Sequence, residues 1–299
     1  MRRMNSPIYL RKFVFLAALF SAFFAVACVS AANAQSADSL LIKINPEFPK
    51  PYQDITAELV SYAANLNESP IIWSLDGKNA LSGIGKKTFS FKVGGLGSVS
   101  RLAVVAQTDA GNLVDAVIIS PSSVDFLWQA DGSYVPPFYK GRTLPAPGAS
   151  IRVVAMPEMY LNGNRLKPSA LVYTWSRNDN LVQESSGYGK SYMVFQNNYL
   201  NDSEKISVTT SSAGGERSAE GNVSIGITNP FVLFYEKRPL RGARYEKALS
   251  GDFSLSGQEA EISAEPYFFS ANSKQVDAMQ YSWSLNDKVV PGNPDDPSS

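Results

Sequence analysis

The 299-residue chain contains no histidine and a single cysteine. Without histidine, the common zinc and copper ligand sets, His-based catalytic triads and the most frequent general base are excluded. The lone cysteine, Cys28, lies in an apolar N-terminal run, so no intrachain disulfide can form. We therefore expect no enzyme activity, no cofactor and no metal, and no catalytic, cofactor-binding or metal-ligating residues. The domains must be held together by packed apolar side chains.

An excess of charge of one sign is also lacking, since 27 Lys and Arg residues balance 27 Asp and Glu residues. The basic residues do not form the clusters that proteins use to bind phosphate backbones. We therefore expect no nucleic-acid partner. Membrane contact is expected only through the N-terminal segment or through residues that follow Ser299.

The N-terminus has the pattern of a secretory signal peptide. Four basic residues precede an apolar run, Phe13–Val29, which is followed by the small residues Ala32–Ala34. We predict cleavage after Ala34 and an extracytoplasmic location, whether secreted, periplasmic or at the cell surface. Two alternatives are lipidation of Cys28 and an uncleaved anchor helix, since about 17 apolar residues are near the lower limit for crossing a bilayer. Cleavage removes four basic residues and no acidic one, leaving 23 basic and 27 acidic residues, a net charge of −4.

The most informative positive feature is a phrase that occurs three times, about one hundred residues apart: Trp73–Lys78, Trp175–Asn180 and Trp283–Lys288. Each phrase places an indole just before a polar hairpin turn, as the central strand of a β-sandwich requires. Burial of an indole in a core stabilises a domain by several kcal/mol, about 3–5 by truncation. The predicted structural core residues are Trp73, Trp175 and Trp283.

Short runs of alternating apolar and polar residues surround each phrase and are separated by turn residues. About seven such runs fit one repeat, and no stretch has a convincing helical period. The sequence predicts an all-β fold of tandem immunoglobulin-like β-sandwiches after an N-terminal signal or anchor helix. The predicted segments are a signal peptide at 1–34, sandwiches at 38–121 and 122–228, and an incomplete sandwich at 229–299.

The third repeat is expected to be incomplete because its strand pattern stops early. It has strand-like runs at Phe231–Glu236 and Glu261–Glu265 and around Trp283, but no counterparts of the last three strands of repeat one. An open sheet exposes its apolar face and an unpaired edge. Two explanations are that the remaining strands lie beyond Ser299, or that a partner donates a strand.

Repeat two carries an aromatic and proline-rich stretch, Tyr134–Gly141, between its first two strands. Repeat three has a basic and proline-containing stretch, Arg238–Gly242, at the corresponding place. This recurrence favours a buried seam between neighbouring sandwiches over an exposed ridge that binds a glycan or another protein. Trp128, which we align with Tyr235, is predicted to pack between domains. The predicted interface residues are Trp128, Tyr134, Phe138, Tyr139 and Tyr235.

A Gly-Lys loop is also repeated, as Ser82–Lys86 and Ser186–Lys190. A phosphate-binding loop needs another glycine five positions before the Gly-Lys step. Ala80 and Glu184 stand at those positions, so we predict ordinary solvated hairpin loops.

From about Leu40 to its end, the chain resembles the tandem immunoglobulin-like and polycystic-kidney-disease-like repeats of bacterial surface proteins. The resemblance rests on the Trp-Ser phrases and on the order and spacing of the strand-like runs around them, although the paired cysteines of antibody domains are absent. The resemblance implies a non-catalytic structural or adhesive protein, a spacer or interaction rod whose partner is another surface protein or a glycan. The alternative is a glycan-binding accessory module of a larger extracellular hydrolase, with exposed indoles as sugar platforms.

Overall fold

The computed structural model describes residues 40–109, 111–249, 259–271 and 279–299. The predicted signal peptide, the lipidation at Cys28 and the anchor helix lie outside these ranges. Within them the only helical elements are two 3₁₀ turns, Pro168–Ala170 and Gln183–Ser185. No helix in this part of the chain has the length and apolar character needed to cross a bilayer. The chain divides after Pro121 into two compact units.

The first unit is a β-sandwich in which a three-stranded sheet packs against a four-stranded sheet. Its strands are β1 (Leu41–Asn45), β2 (Asp54–Val60), β3 (Pro70–Leu75), β4 (Lys78–Ile84), β5 (Thr88–Lys92), β6 (Ser100–Thr108) and β7 (Gly111–Ile119). They pair in the orders β1-β2-β5 and β4-β3-β6-β7, and every pairing is antiparallel. Alternate residues of both sheets are buried between them, with Trp73 and Leu102 fully enclosed. This is an immunoglobulin-like β-sandwich.

The second unit begins with a sandwich of the same plan. Its strands are β8 (Ser123–Asp131), β9 (Ser150–Glu158), β10 (Tyr160–Leu161), β11 (Asn164–Arg165), β12 (Leu171–Arg177), β13 (Asn180–Leu181), β14 (Gly187–Tyr188), β15 (Tyr192–Gln196), β16 (Ser203–Ser212) and β17 (Ser218–Gly226). The sheets run β8-β9-β15 and β13-β12-β16-β17, with β14 also on β12 and β10-β11 as a small extra hairpin. A separate core encloses Tyr173 and Trp175. The prediction of an all-β fold built of immunoglobulin-like sandwiches is confirmed.

In the rest of the second unit, the described residues form the first part of a third sandwich. Its strands are β18 (Phe231–Arg238), β19 (Gly242–Ala243), β20 (Glu261–Tyr267), β21 (Trp283–Leu285) and β22 (Lys288–Val290). They form a sheet of order β19-β18-β20 and a hairpin of β21 and β22. Among the described residues, no strand corresponds to β5, β6 and β7 of the first sandwich or to β15, β16 and β17 of the second.

The hairpin after each Trp strand uses the same two-residue turn. Both turn residues have positive φ, as a type I′ turn requires, in Asp76–Gly77, Asn178–Asp179 and Asn286–Asp287. In the first two sandwiches, the side chain of the first turn residue also accepts a hydrogen bond from the next strand of its sheet. The Asp76 carboxylate accepts the Arg101 backbone N–H at 2.7 Å, and the Asn178 side chain accepts the Lys205 N–H at 2.9 Å. The predicted turn chemistry is therefore present in all three repeats.

The buried indoles of the first two sandwiches each donate one hydrogen bond. Trp73 Nε1 donates to the Lys86 carbonyl at 2.8 Å, and Trp175 Nε1 donates to the Lys190 carbonyl at 2.9 Å. Both acceptors lie in the repeated Gly-Lys loops. These loops, predicted only as solvated hairpins, thus supply the acceptor that a buried indole N–H needs.

Two glycines let the Gly-Lys loops pass close to the segments that directly precede the Trp strands. Gly85 and Gly189 have φ of +66° and +71°. A β-carbon on Gly85 would lie 2.7 Å from the Asn67 carbonyl oxygen, and one on Gly189 would lie 3.3 Å from the Ser169 carbonyl oxygen. Both the backbone conformation and the lack of space therefore favour glycine.

We expect Gly85→Ala to destabilise the first sandwich by about 3 kcal/mol, because it adds a steric contact to the strain of positive φ. Gly77→Ala is the matched control, since Gly77 also has positive φ but has no atom within 4 Å of an added β-carbon. Its cost should be about 1 kcal/mol. Urea denaturation of both variants measures the difference, and equal losses would contradict the proposed crowding.

Candidate functional site

The sheet of β18 and β20 can be aligned with that of β8 and β9 by strand register. The matching pairs are Val232 with Pro266 and Phe234 with Ala264 in one, and Val124 with Pro157 and Phe126 with Ala155 in the other. In the second sandwich, Val124 and Phe126 pack against the core. Val232 and Phe234 therefore lie on the inner face of the third sheet, and Tyr235 lies on its outer face.

This register corrects the alignment of Trp128 with Tyr235. Trp128 corresponds to Glu236, and Tyr235 corresponds to Leu127. A shift of one residue turns every side chain of a strand to the opposite face. Trp128 packs against the core of its own sandwich, and the Arg142 guanidinium carbon lies 4.3 Å from the centre of its ring. It is not brought together with the other four predicted interface residues.

The outer face of the third sheet packs against the proline-rich segment of repeat two, and we call this contact the aromatic seam. The segment and the chain after β20 exchange two backbone hydrogen bonds. Tyr134 N–H donates to the Phe269 carbonyl, and Phe268 N–H donates to the Tyr134 carbonyl, both at 2.7 Å. The segment thus has a fixed place beside the sheet.

Aromatic rings fill the seam. Phe138 stacks on Tyr245 with 4.1 Å between ring centroids and meets Tyr235 edge-on at 5.9 Å. Tyr139 meets Tyr267 edge-on at 6.0 Å. Such pairs each contribute about 0.5–1.5 kcal/mol beyond burial of their area. The structure therefore brings Tyr134, Phe138, Tyr139 and Tyr235 into one cluster, in which Tyr235 is buried and the other three are half-buried.

A carboxylate that the sequence analysis missed lies inside the seam. Glu265 is 0% exposed. It accepts hydrogen bonds from the Tyr245 hydroxyl at 3.1 Å and the Ser263 hydroxyl at 3.3 Å, and the Tyr134 hydroxyl lies 3.5 Å away. Burial, with Glu265 adding to it, raises the pKa of Tyr245 to about 12 and also raises the pKa of Tyr134. The phenols stay protonated and donate to the carboxylate, which makes them poor bases and nucleophiles at neutral pH.

We expect Tyr245→Phe to destabilise the second unit by about 1–3 kcal/mol at pH 8, because Glu265 loses a donor. The folded-state pKa of Tyr245 lies above the unfolded value of about 10, so its contribution is present below pH 10 and is lost as pH rises through about 12. The variant should therefore lose less stability than the wild type over this range.

Denaturation of the second unit at a series of pH values between 8 and about 11.5 measures this effect. Tyr188→Phe is the matched control, because that side chain is 64% exposed. If Tyr245→Phe and Tyr188→Phe have the same stability and the same pH profile, the hydrogen bond to Glu265 does not stabilise the seam.

The inner face of the third sheet borders an open groove of about 730 Å³. Phe234 on this face is 43% exposed. Most of the lining is apolar and comes from both the sheet and the Trp hairpin. The lining residues include Val232, Phe234, Ala260, Ile262, Ala264 and Trp283. This groove is the candidate binding site of the molecule.

The position of Trp283 corrects the prediction that it is a core residue. Trp73 and Trp175 are 0% exposed, whereas Trp283 is only half-buried, with its ring 6.0 Å from that of Phe234. The physical reason is that strands covering the indole in the other sandwiches have no counterparts among the described residues here. Trp283 Nε1 still donates a hydrogen bond, to the Pro297 carbonyl at 3.0 Å.

Over the part of the chain that the structure describes, no group of three or more His, Cys, Asp or Glu side chains could hold a metal ion. The groove offers apolar contacts, one indole and the backbone groups of a sheet edge. These are the means by which proteins bind extended peptides.

No family model and no curated protein matches the chain. Among solved structures, the fibronectin(III)-like modules of Clostridium thermocellum CbhA match with 10% identity and a TM-score of 0.29, over 63% of this chain and 95% of that one. Three N-terminal domains of the bacteriophage RB49 highly immunogenic outer capsid protein match with 8% identity and a TM-score of 0.27, over 76% and 90%. Drosophila OTK extracellular domains 3–5 match with 11% identity and a TM-score of 0.21, over 81% and 76%. The immunoglobulin-like plan of the first two sandwiches follows from their strand order and their separate cores.

Proposed function

We propose that this chain is a secreted or surface-attached structural or adhesive protein, whose immunoglobulin-like sandwiches act as spacers and interaction modules. The observation that carries the proposal is that the first two sandwiches share one seven-strand plan, each around a core of its own. The seven strands are β1–β7 in the first sandwich and β8, β9, β12, β13, β15, β16 and β17 in the second. Modules that fold locally can be joined in series without catalytic machinery. The signal-like N-terminal sequence supports an extracytoplasmic location.

The positions of Trp73, Trp128 and Trp175 favour this proposal over a glycan-binding accessory module. A sugar platform needs an exposed aromatic face, but Trp73 and Trp175 are fully buried. One face of Trp128 carries the Arg142 guanidinium. The tyrosines of the seam are likewise committed to contacts within the protein.

A single-molecule force experiment on the full chain, pulled through its two ends, tests the modular role. We expect separate unfolding events for the first and second sandwiches, because each has its own core. Trp73→Ala should remove or weaken only the first event and Trp175→Ala only the second, since each truncation costs about 3–5 kcal/mol in one core.

One cooperative event for the wild-type chain, or loss of both events in either variant, would contradict independent modules. Saturable binding of the chain to a glycan array would instead support the accessory-module alternative.

A further inference from the structure

The outer face of the four-stranded sheet in the first sandwich carries almost no charge. Residues that alternate with the buried Trp73 and Val104 point away from the core. They form rows across β3, β6 and β7, namely Ile72, Val105 and Val114, then Ser74, Ala103 and Ala116, then Arg101 and Ile118. On the neighbouring β4, Ser82 and Ile84 extend the face. Only Arg101 is charged, and Val114 and Ile118 are 58% and 55% exposed.

The corresponding face of the second sandwich is polar. Trp73 pairs with Val104 as Trp175 pairs with Val208, so the two sheets can be aligned residue by residue. Each apolar residue in the three rows then has a polar counterpart: Ile72 and Thr174, Val105 and Thr209, Val114 and Glu220, Ala103 and Ser207, Ala116 and Asn222, Ile118 and Ser224. The other sheet of the first sandwich also has a charged outer face, with Lys43, Asp54, Glu58 and Lys92. The fold therefore does not require apolar residues on this face.

The chemistry of the face argues against several classes of ligand. All of its residues lie in the described part of the chain, and none of them is aromatic, so a sugar ring has nothing to stack on. A single cation is too little charge to hold a phosphate polymer. Small side chains on a pleated sheet also make the face flat. A flat, neutral and apolar face requires a partner surface of the same kind.

A second copy of the same face meets these requirements. A neutral face can pack on its own copy without bringing like charges together, whereas charged rows would repel one another. Small side chains allow two sheets to pack face to face about 10 Å apart. Arg101 lies at one end of the face, where its backbone N–H is bonded to the Asp76 turn. Its guanidinium can therefore stay in solvent at the rim of the contact.

The size of the face predicts a weak dimer. Four strands about 4.8 Å apart and about seven residues long cover about 440 Å². Two copies would therefore bury about 900 Å² in all, which is less than the roughly 1,200 Å² that stable complexes bury and is typical of transient ones. We expect a dimer that forms at high concentration and dissociates on dilution.

We propose that the outer face of the β4-β3-β6-β7 sheet binds the same face of a second copy of this chain, sheet on sheet, in a symmetric dimer. Ala103 and Val105 lie at the centre of the contact, and Val114 and Ile118 extend it to the edge strand β7. Because both copies use the same surface, association stops at the dimer. The inference rests on register and exposure, and does not depend on the spacer role.

Sedimentation equilibrium of the full chain, from about 5 to about 500 μM, measures the dimer. We expect a reversible equilibrium between monomer and dimer. Val114→Glu should weaken dimerisation at least about tenfold, because it buries an unpaired carboxylate in each copy. The variant should fold, since Val114 is exposed and the second sandwich has Glu220 at the corresponding position.

A second variant tests the face without adding charge. Ile72→Thr combined with Val105→Thr gives the first sheet the residues that the second sheet has, Thr174 and Thr209. It should also weaken dimerisation at least about tenfold, because four apolar side chains are lost from the contact of two copies. Thermal unfolding of both variants checks that the sandwich is still folded.

Two control variants carry the same charge on other surfaces. Leu127→Glu changes a 55% exposed residue of the second sandwich, and Val289→Glu changes an 81% exposed residue of the third repeat. Both should dimerise as the wild type does.

Four results would overturn the proposal. A chain that is monomeric at every concentration has no such contact. Dimerisation that neither the folded Val114→Glu variant nor the double variant weakens takes place elsewhere. Weaker dimerisation of Leu127→Glu or Val289→Glu would place the contact on another face. Growth beyond the dimer would mean a head-to-tail contact between two different surfaces.

Discussion

In the first two sandwiches, a hydrogen bond from the core indole to a backbone carbonyl joins the Trp strand, β3 or β12, to the loop that precedes β5 or β15. An indole contributes a large buried area but carries one donor that must be paired when water is excluded. That requirement decides where the preceding loop passes, and the crowded glycine at Gly85 or Gly189 is what lets it pass there. One polar contact inside an apolar core thus fixes where β5 or β15 begins. In the third repeat the contact forms with Pro297, although the groove beside it stays open.

The third sheet is organised by unequal contacts on its two faces. Its outer face is fixed by the aromatic seam and the buried Glu265, while its inner face and its β20 edge border the groove.

Local signals made the strands, the type I′ turns and the first two core indoles predictable from sequence. Other features lacked a local signal. The run Phe231–Tyr235 is apolar throughout, so hydrophobic periodicity does not show which of its residues face the core. Only the pairing with β20 shows that Tyr235 points outward. Trp283 repeats the core phrase, but its burial depends on strands outside the phrase. Glu265 reads as an exposed strand residue, because the phenols that accompany it come from Tyr134 and Tyr245, far away in sequence.

Hydrogen exchange of the indole N–H protons can be followed by NMR on chain labelled with ¹⁵N at tryptophan. We expect slow exchange for Trp73 and Trp175, whose donors are bonded inside closed cores, and much faster exchange for Trp283 in the open groove. Exchange of the Trp73 and Trp175 protons at the rate of a freely exposed indole would contradict the anchoring role. Protection of Trp283 equal to theirs would contradict the open third sandwich.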